Sequence, residues 1–144
     1  MAYVPKDAEW FLAELIVEIK VTGSKRNVVH INYVIVRANS PEEAYKRANE
    51  IGKQSTNSYL NEKGNRVTKR FRGLRGLDVI YDPLDDECEI MFVEKLGVPE
   101  ERFKRMVCPK RRLEVFQPIR NRPGRPDYSS GEIMALAKKE LKTE

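Results

Sequence analysis

The sequence predicts an α+β fold: an antiparallel sheet in ββαββ order with one packed helix, followed by a basic C-terminal extension that ends in a helix. Three observations carry that expectation. Residues 10–21 alternate in apolar character, residues 27–38 are rich in β-branched and aromatic side chains, and Ser40-Pro41-Glu42-Glu43 marks a helix start directly after them.

In residues 10–21, Phe11, Ala13, Leu15, Val17, Ile19 and Val21 share one strand face, which is the expected core face. Thr22-Gly23-Ser24-Lys25-Arg26 is a polar turn, so an antiparallel hairpin is the simplest pairing for the two strands. On the second strand Val29, Ile31, Tyr33 and Ile35 share one face and Val28, His30, Asn32, Val34 and Val36 the other. Neither face is fully polar. An antiparallel sheet with one solvated face alternates more cleanly, so the second face is expected to be covered by the C-terminal extension or by another subunit.

Ser40 suits an N-cap, with Pro41 at the first helical position and Glu43 placed to reach back in a capping box. Ala44, Tyr45, Ala48 and Ile51 form the expected apolar stripe, Glu42–Lys46 and Glu43–Arg47 are spaced for i,i+4 pairs, and Gly52 is the expected helix end. Residues 54–64 read as a polar loop. The third strand is expected over 66–81, where Gly73 and Gly76 mark a bulge or bend, and the fourth over 88–92 after the turn Asp82-Pro83-Leu84-Asp85-Asp86.

Trp10-Phe11, His30-Ile31-Asn32, Ser40-Pro41-Glu42-Glu43-Ala44, Phe71-Arg72-Gly73-Leu74 and Leu77-Asp78-Val79-Ile80-Tyr81 together resemble the uncharacterised bacterial family known as domain of unknown function 4288. The resemblance covers roughly residues 9–96 and implies a compact ββαββ domain with no assigned activity. Residues 97–144 form the extension beyond it. There a short helix is expected through Phe103 and Met106, a brief strand at Leu113-Glu114-Val115-Phe116, a proline-rich linker over 117–126, and a terminal helix. That helix opens at Ser129-Ser130-Gly131-Glu132 with the stripe Ile133, Leu136, Ala137 and Leu141, and docking on a dimer partner is slightly favoured for it.

At 144 residues one domain is the prior, and a net charge of +5 permits an acidic partner without requiring one. The start of the chain lacks a secretory pattern and no stretch approaches a membrane span, so a cytoplasmic protein with no membrane partner is expected. Cys88 and Cys108 lack metal or redox spacing and read as reduced and structural, and no cofactor is called for.

His30 and Asn32, two apart on a strand, present a donor and acceptor to one side, and Asp78 is a candidate to orient the imidazole. A lone histidine among valines is more often structural, and no nucleophile or oxyanion site accompanies it. The basic runs are the stronger signal. Arg66, Lys69, Arg70, Arg72 and Arg75 fall in one acid-free stretch, with Arg66, Thr68, Arg70 and Arg72 on one face if the register is continuous. Residues 102–125 add Arg111, Arg112, Arg120, Arg122 and Arg125 among others, against Glu114 alone. With Tyr128 or Phe71 for stacking, these runs suit a phosphate backbone, a single strand or an acidic protein surface, while solvated faces balanced by Glu14, Glu18, Glu87 and Glu89 are the plainer alternative. The reading is a non-enzymatic binding or assembly module, homo-oligomeric, with a basic surface for an anionic partner. A nucleic-acid-binding protein is the alternative and a small enzyme using His30 the next.

Overall fold

The computed structural model describes residues 3–118 and 124–143, with the side chains of the last helix described as far as Glu140. The chain divides into two compact units, one formed by Met1–Met91 with Arg125–Glu144 and the other by Phe92–Gly124. The first unit holds an antiparallel four-stranded sheet. Its strands are β1 (Trp10–Val21), β2 (Val28–Arg37), β3 (Asn57–Leu60) and β4 (Arg66–Val79), laid side by side in the order β2-β1-β4-β3. Helix α1 (Pro41–Gln54) joins β2 to β3, and the C-terminal helix of this unit, described below, spans Gly131–Thr143.

β1 is the central strand, paired with β2 from Trp10↔Arg37 to Ile19↔Val28 and with β4 from Phe11↔Val79 to Val21↔Val67. Its alternation is therefore strongly specified, and Phe11, Ala13, Leu15, Val17, Ile19 and Val21 are all buried as expected. Register carries Val36, Val34, Asn32, His30 and Val28 of β2 onto the same core face.

α1 covers one half of that face. Ala44 packs with Phe11, Ala38 and Val79, and Ala48 with Ala13, Leu15 and Val36. Small side chains bring the helix close, and Gly52 extends the approach: a Cβ there would stand 2.4 Å from the Phe71 ring. Gly52 is thus a packing residue inside the last turn rather than the helix end, which falls at Ser55. Tyr45, expected in the apolar stripe, faces solvent. Ser40 Oγ accepts from the Glu43 amide at 3.1 Å, and the Glu43 carboxylate accepts from the Asn39 amide, one residue further back than a capping box requires. Arg47 turns from Glu43 to the Arg37 carbonyl at 2.5 Å.

The second half of the core face is covered by the chain's own C-terminal arm. Tyr128 packs against Val17, Ile19, Val21 and Val67, edge-on to His30 at 5.3 Å between ring centres. The extension was expected on the opposite face of the sheet. Instead α1 and the arm share one face, because α1 is too short to cover strands of this length.

β3 lies within the stretch expected to be a loop. Its polar residues pair with β4 through a turn organised by buried Asn61, whose Oδ1 accepts from the amides of Lys63 (3.0 Å) and Asn65 (2.8 Å). The strand expected over 88–92 does not form. Cys88 N–H is taken by the Asp85 carbonyl and Glu89 N–H by the Asp82 carboxylate, so those amides are spent on the turn, and Glu87 adopts a positive φ of 67°.

In the second unit α2 (Glu100–Met106) is followed by two 3₁₀ turns, Lys110–Arg112 and Glu114–Phe116. The second replaces the expected brief strand, its Phe116 amide bonded to the Leu113 carbonyl at 2.9 Å. In the first unit α3 (Gly131–Thr143) begins after Ser130, whose hydroxyl accepts from Ile133; Ser129 instead donates to Asp127.

Candidate anion-binding surface on the outer face of the sheet

The face of the sheet away from α1 is built by the even-numbered residues of β1 and the odd-numbered residues of β2, together with β4. Two bulges in β4 decide what it presents. The register with β1 slips between Glu14 and Leu15, leaving Arg75 as the extra residue, and between Ile16 and Val17, leaving Arg72 as the extra residue. Each arginine is followed by a glycine. Gly73 adopts a φ of +132°, which side chains rarely tolerate, and Gly76 lies under Glu14. The bulges thereby aim both guanidinium groups at acids of β1, Arg75 at Glu14 (2.8 Å) and Arg72 at Glu18 (3.9 Å).

Glu14 is buried, so its carboxylate needs that partner. Arg75 also donates to the Tyr33 hydroxyl at 2.8 Å, tying β4, β1 and β2 together across the face. The hydrogen bond to Glu14 raises the Arg75 pKa, against the opposing effect of desolvation. Glu18 accepts from Asn27 Nδ2 at 2.7 Å. That bond, opposed by desolvation and aided by Lys20, Arg72 and Arg70, holds the Glu18 carboxyl below its ordinary value.

Toward the β1–β2 turn the charge balance changes. A hollow of about 620 Å³ is lined by Glu18, Lys20, Lys25, Arg26, Asn27 and Thr68 among others, and Glu18 is the only acid among its lining residues. Arg70 stands opposite Glu18 and Arg66 lies next along β4, bonded only weakly to Ser58 Oγ at 3.4 Å. Lys20, Lys25, Arg26 and Arg70 enter no ion pair among the described residues. At the other end of the face Arg37 is committed to Glu9 (3.0 Å) and stacks over Trp10 (4.6 Å).

Lys25 and Arg26 were missed in the sequence because the turn was read only as a connector. Their charge, next to a hairpin partner of the basic β4, was the available signal. Of the expected residues, Arg66, Arg70 and Arg72 gather at this end of the sheet, although Arg72 arrives through a bulge and not through a continuous register. Arg111 and Arg112 lie in the 3₁₀ turn of the second unit, and Arg125 is an exposed residue at the start of the arm. Arg120 and Arg122 lie outside the described residues. Phe71 sits on the core face beneath α1 and Tyr128 on the core-face cluster, so neither offers a free ring beside these arginines.

His30 and Asn32 do share a face, but it is the core face, whereas Asp78 pairs opposite Leu12 and points to the outer face. Asp78 is therefore not positioned to orient His30, whose ring meets Tyr128. Among the described residues no group of three His, Cys, Asp or Glu side chains could hold a metal ion, and both cysteines are free. No described helix is long and apolar enough to cross a membrane.

The family model for a domain of unknown function matches residues 10–92, more than half the chain. The chain belongs to the DUF4288 family. The matched span contains β1 to β4 and α1, hence both arginine bulges and the turn hollow, whereas the arm carrying Tyr128 lies beyond the DUF4288 match. No curated protein and no solved structure matches the chain.

Proposed function

We propose that this protein is a binding module that uses the basic hollow at the β1–β2 turn to hold an acidic segment of a partner protein. The observation that supports it is the charge imbalance around that hollow. Glu18 is its one lining acid and is shared among Asn27, Arg72, Lys20 and Arg70, so one carboxylate faces an excess of positive charge from Lys20, Lys25, Arg26 and neighbouring Arg70. A carboxylate or phosphate there would gain charge-assisted hydrogen bonds without displacing an internal partner. The core is taken as residues 9–96 and residues 97–144 as an extension, whose own basic residues, among them Arg111 and Arg112 in the second unit, are a separate candidate for an anionic partner.

Nucleic acid is the second reading, favoured by the density of arginine along β4. It has less support, since the aromatic rings of this face are Tyr33 and Trp10, engaged by Arg75 and Arg37. The test is titration of the protein with a polyglutamate peptide and with single-stranded and duplex oligonucleotides over a range of salt, beside a Lys20→Glu/Arg26→Glu/Arg70→Glu variant. The peptide should bind wild type and not the variant. Preferred oligonucleotide binding, with a log–log salt slope of about −0.7 to −0.9 per phosphate contacted, would move the assignment to nucleic acid. Binding of neither at low salt would refute an anionic partner.

A further inference from the structure

We propose that the free edge of β2 pairs with β2 of a second copy of this chain, antiparallel and centred on Asn32, to give one continuous sheet. Among the described residues β2 has a single neighbour in the sheet, β1. Which of its backbone groups are free follows from one bond. Ala38 N–H donates to the Glu9 carbonyl at 2.9 Å, and since Trp10 stands opposite Arg37, the even-numbered residues of β2 are those bonded to β1. The odd-numbered residues therefore turn N–H and C=O outward. At Arg37 the carbonyl is already taken by Arg47. The free edge is thus Val29, Ile31, Tyr33 and Ile35.

These same residues carry the exposed apolar side chains of the outer face, with Tyr33 at 56%, Val29 at 51% and Ile35 at 45% exposure. From Val28 to Val36 the strand has no charge, no proline and no bulge, none of the devices by which a long edge avoids pairing. The occupant follows from self-complementarity. A two-fold axis at Asn32 sets Ile31 against Tyr33 of the second copy and Val29 against Ile35, so every free amide and carbonyl of this edge finds a partner. Each such pair joins aromatic with β-branched or two β-branched side chains, the favoured cross-strand combinations. Asn32 meets Asn32, amide to amide. No like charges fall opposite one another, because Arg37 comes against Asn27 and is neutralised by Glu9.

The pairing does not rest on the basic hollow, and the Lys20→Glu/Arg26→Glu/Arg70→Glu variant should retain it. Sedimentation equilibrium of the full chain should give twice its 16.7 kDa mass. Ile31→Pro removes only an outward amide and should weaken the dimer by about tenfold or more. Asn32 is exposed, so charge is tolerated there in a folded monomer. Asn32→Lys and Asn32→Glu should each be monomeric, and an equimolar mixture of the two should recover the dimer mass. A monomeric wild type, a dimer indifferent to these substitutions, or a mixture that stays monomeric would overturn the pairing.

Discussion

Gly76 lies directly beneath the Glu14 carboxylate: a Cβ on Gly76 would stand 2.0 Å from Glu14 Oε2. The absent side chain is what lets a buried acid reach Arg75 across the sheet. Gly76→Ala should displace the carboxylate and destabilise the fold by about 1–3 kcal/mol, the usual range for forcing an extra methyl into a packed site. Denaturant unfolding measures this, and an unchanged midpoint would show that Glu14 has room to move.

Glu18 gives a pH-dependent prediction. Its folded pKa is depressed, chiefly by the Asn27 hydrogen bond. Such a group contributes stability above its unfolded pKa, and that contribution is lost as pH falls through the folded value. Asn27→Ala should move the Glu18 titration, followed by carboxyl NMR, upward toward the ordinary carboxylate value. It should also flatten the loss of stability on the acid side. A titration that does not move would place the cause elsewhere.

The Ser40 cap is separable from any binding role. Ser40→Ala removes the acceptor for the Glu43 amide and should cost about 1 kcal/mol. Thermal melts would register the loss, while anion binding and dimer mass should match wild type.

The arm is held at Tyr128 and Asn61. Tyr59 donates its hydroxyl to the Tyr128 carbonyl, and Asn61 Nδ2 donates to the Asp127 carbonyl at 3.0 Å. Tyr128→Ala should cost about 2 kcal/mol, less than a fully buried aromatic because the ring is only half-buried. Removing residues 125–144 should expose Val17, Ile19, Val21 and Val67 and promote self-association, visible as dye binding to apolar surface. A truncated chain with wild-type stability would exclude the arm from the core.

β1 and the start of α1 were legible in the sequence because local and tertiary demands agree there. β1 is paired on both sides, which leaves its alternation one reading, and Ser40-Pro41 is a strong local signal. β4 was legible as a strand but not in its faces. Its core residues Phe71, Leu74 and Leu77 are spaced by threes because each bulge inserts an arginine, and a period of three matches no strand. β3 was hidden by Asn57 and Ser58, which have loop composition and are held in a strand only by β4. The site was half legible: charge marked Arg66, Arg70 and Arg72, but only the pairing of β1 with β4 shows which acids neutralise which arginines.

The two bulges have a consequence for heredity. Arg72-Gly73-Leu74 and Arg75-Gly76-Leu77 are the same triplet in tandem, each supplying one inserted arginine, one outward glycine and one inward leucine. A gene that gained or lost nine nucleotides here would add or remove a whole triplet and leave inside and outside unchanged along β4, whereas gain or loss of a single codon would turn inward residues out. This strand can therefore lengthen in steps of three residues, each step bringing a further arginine to the outer face.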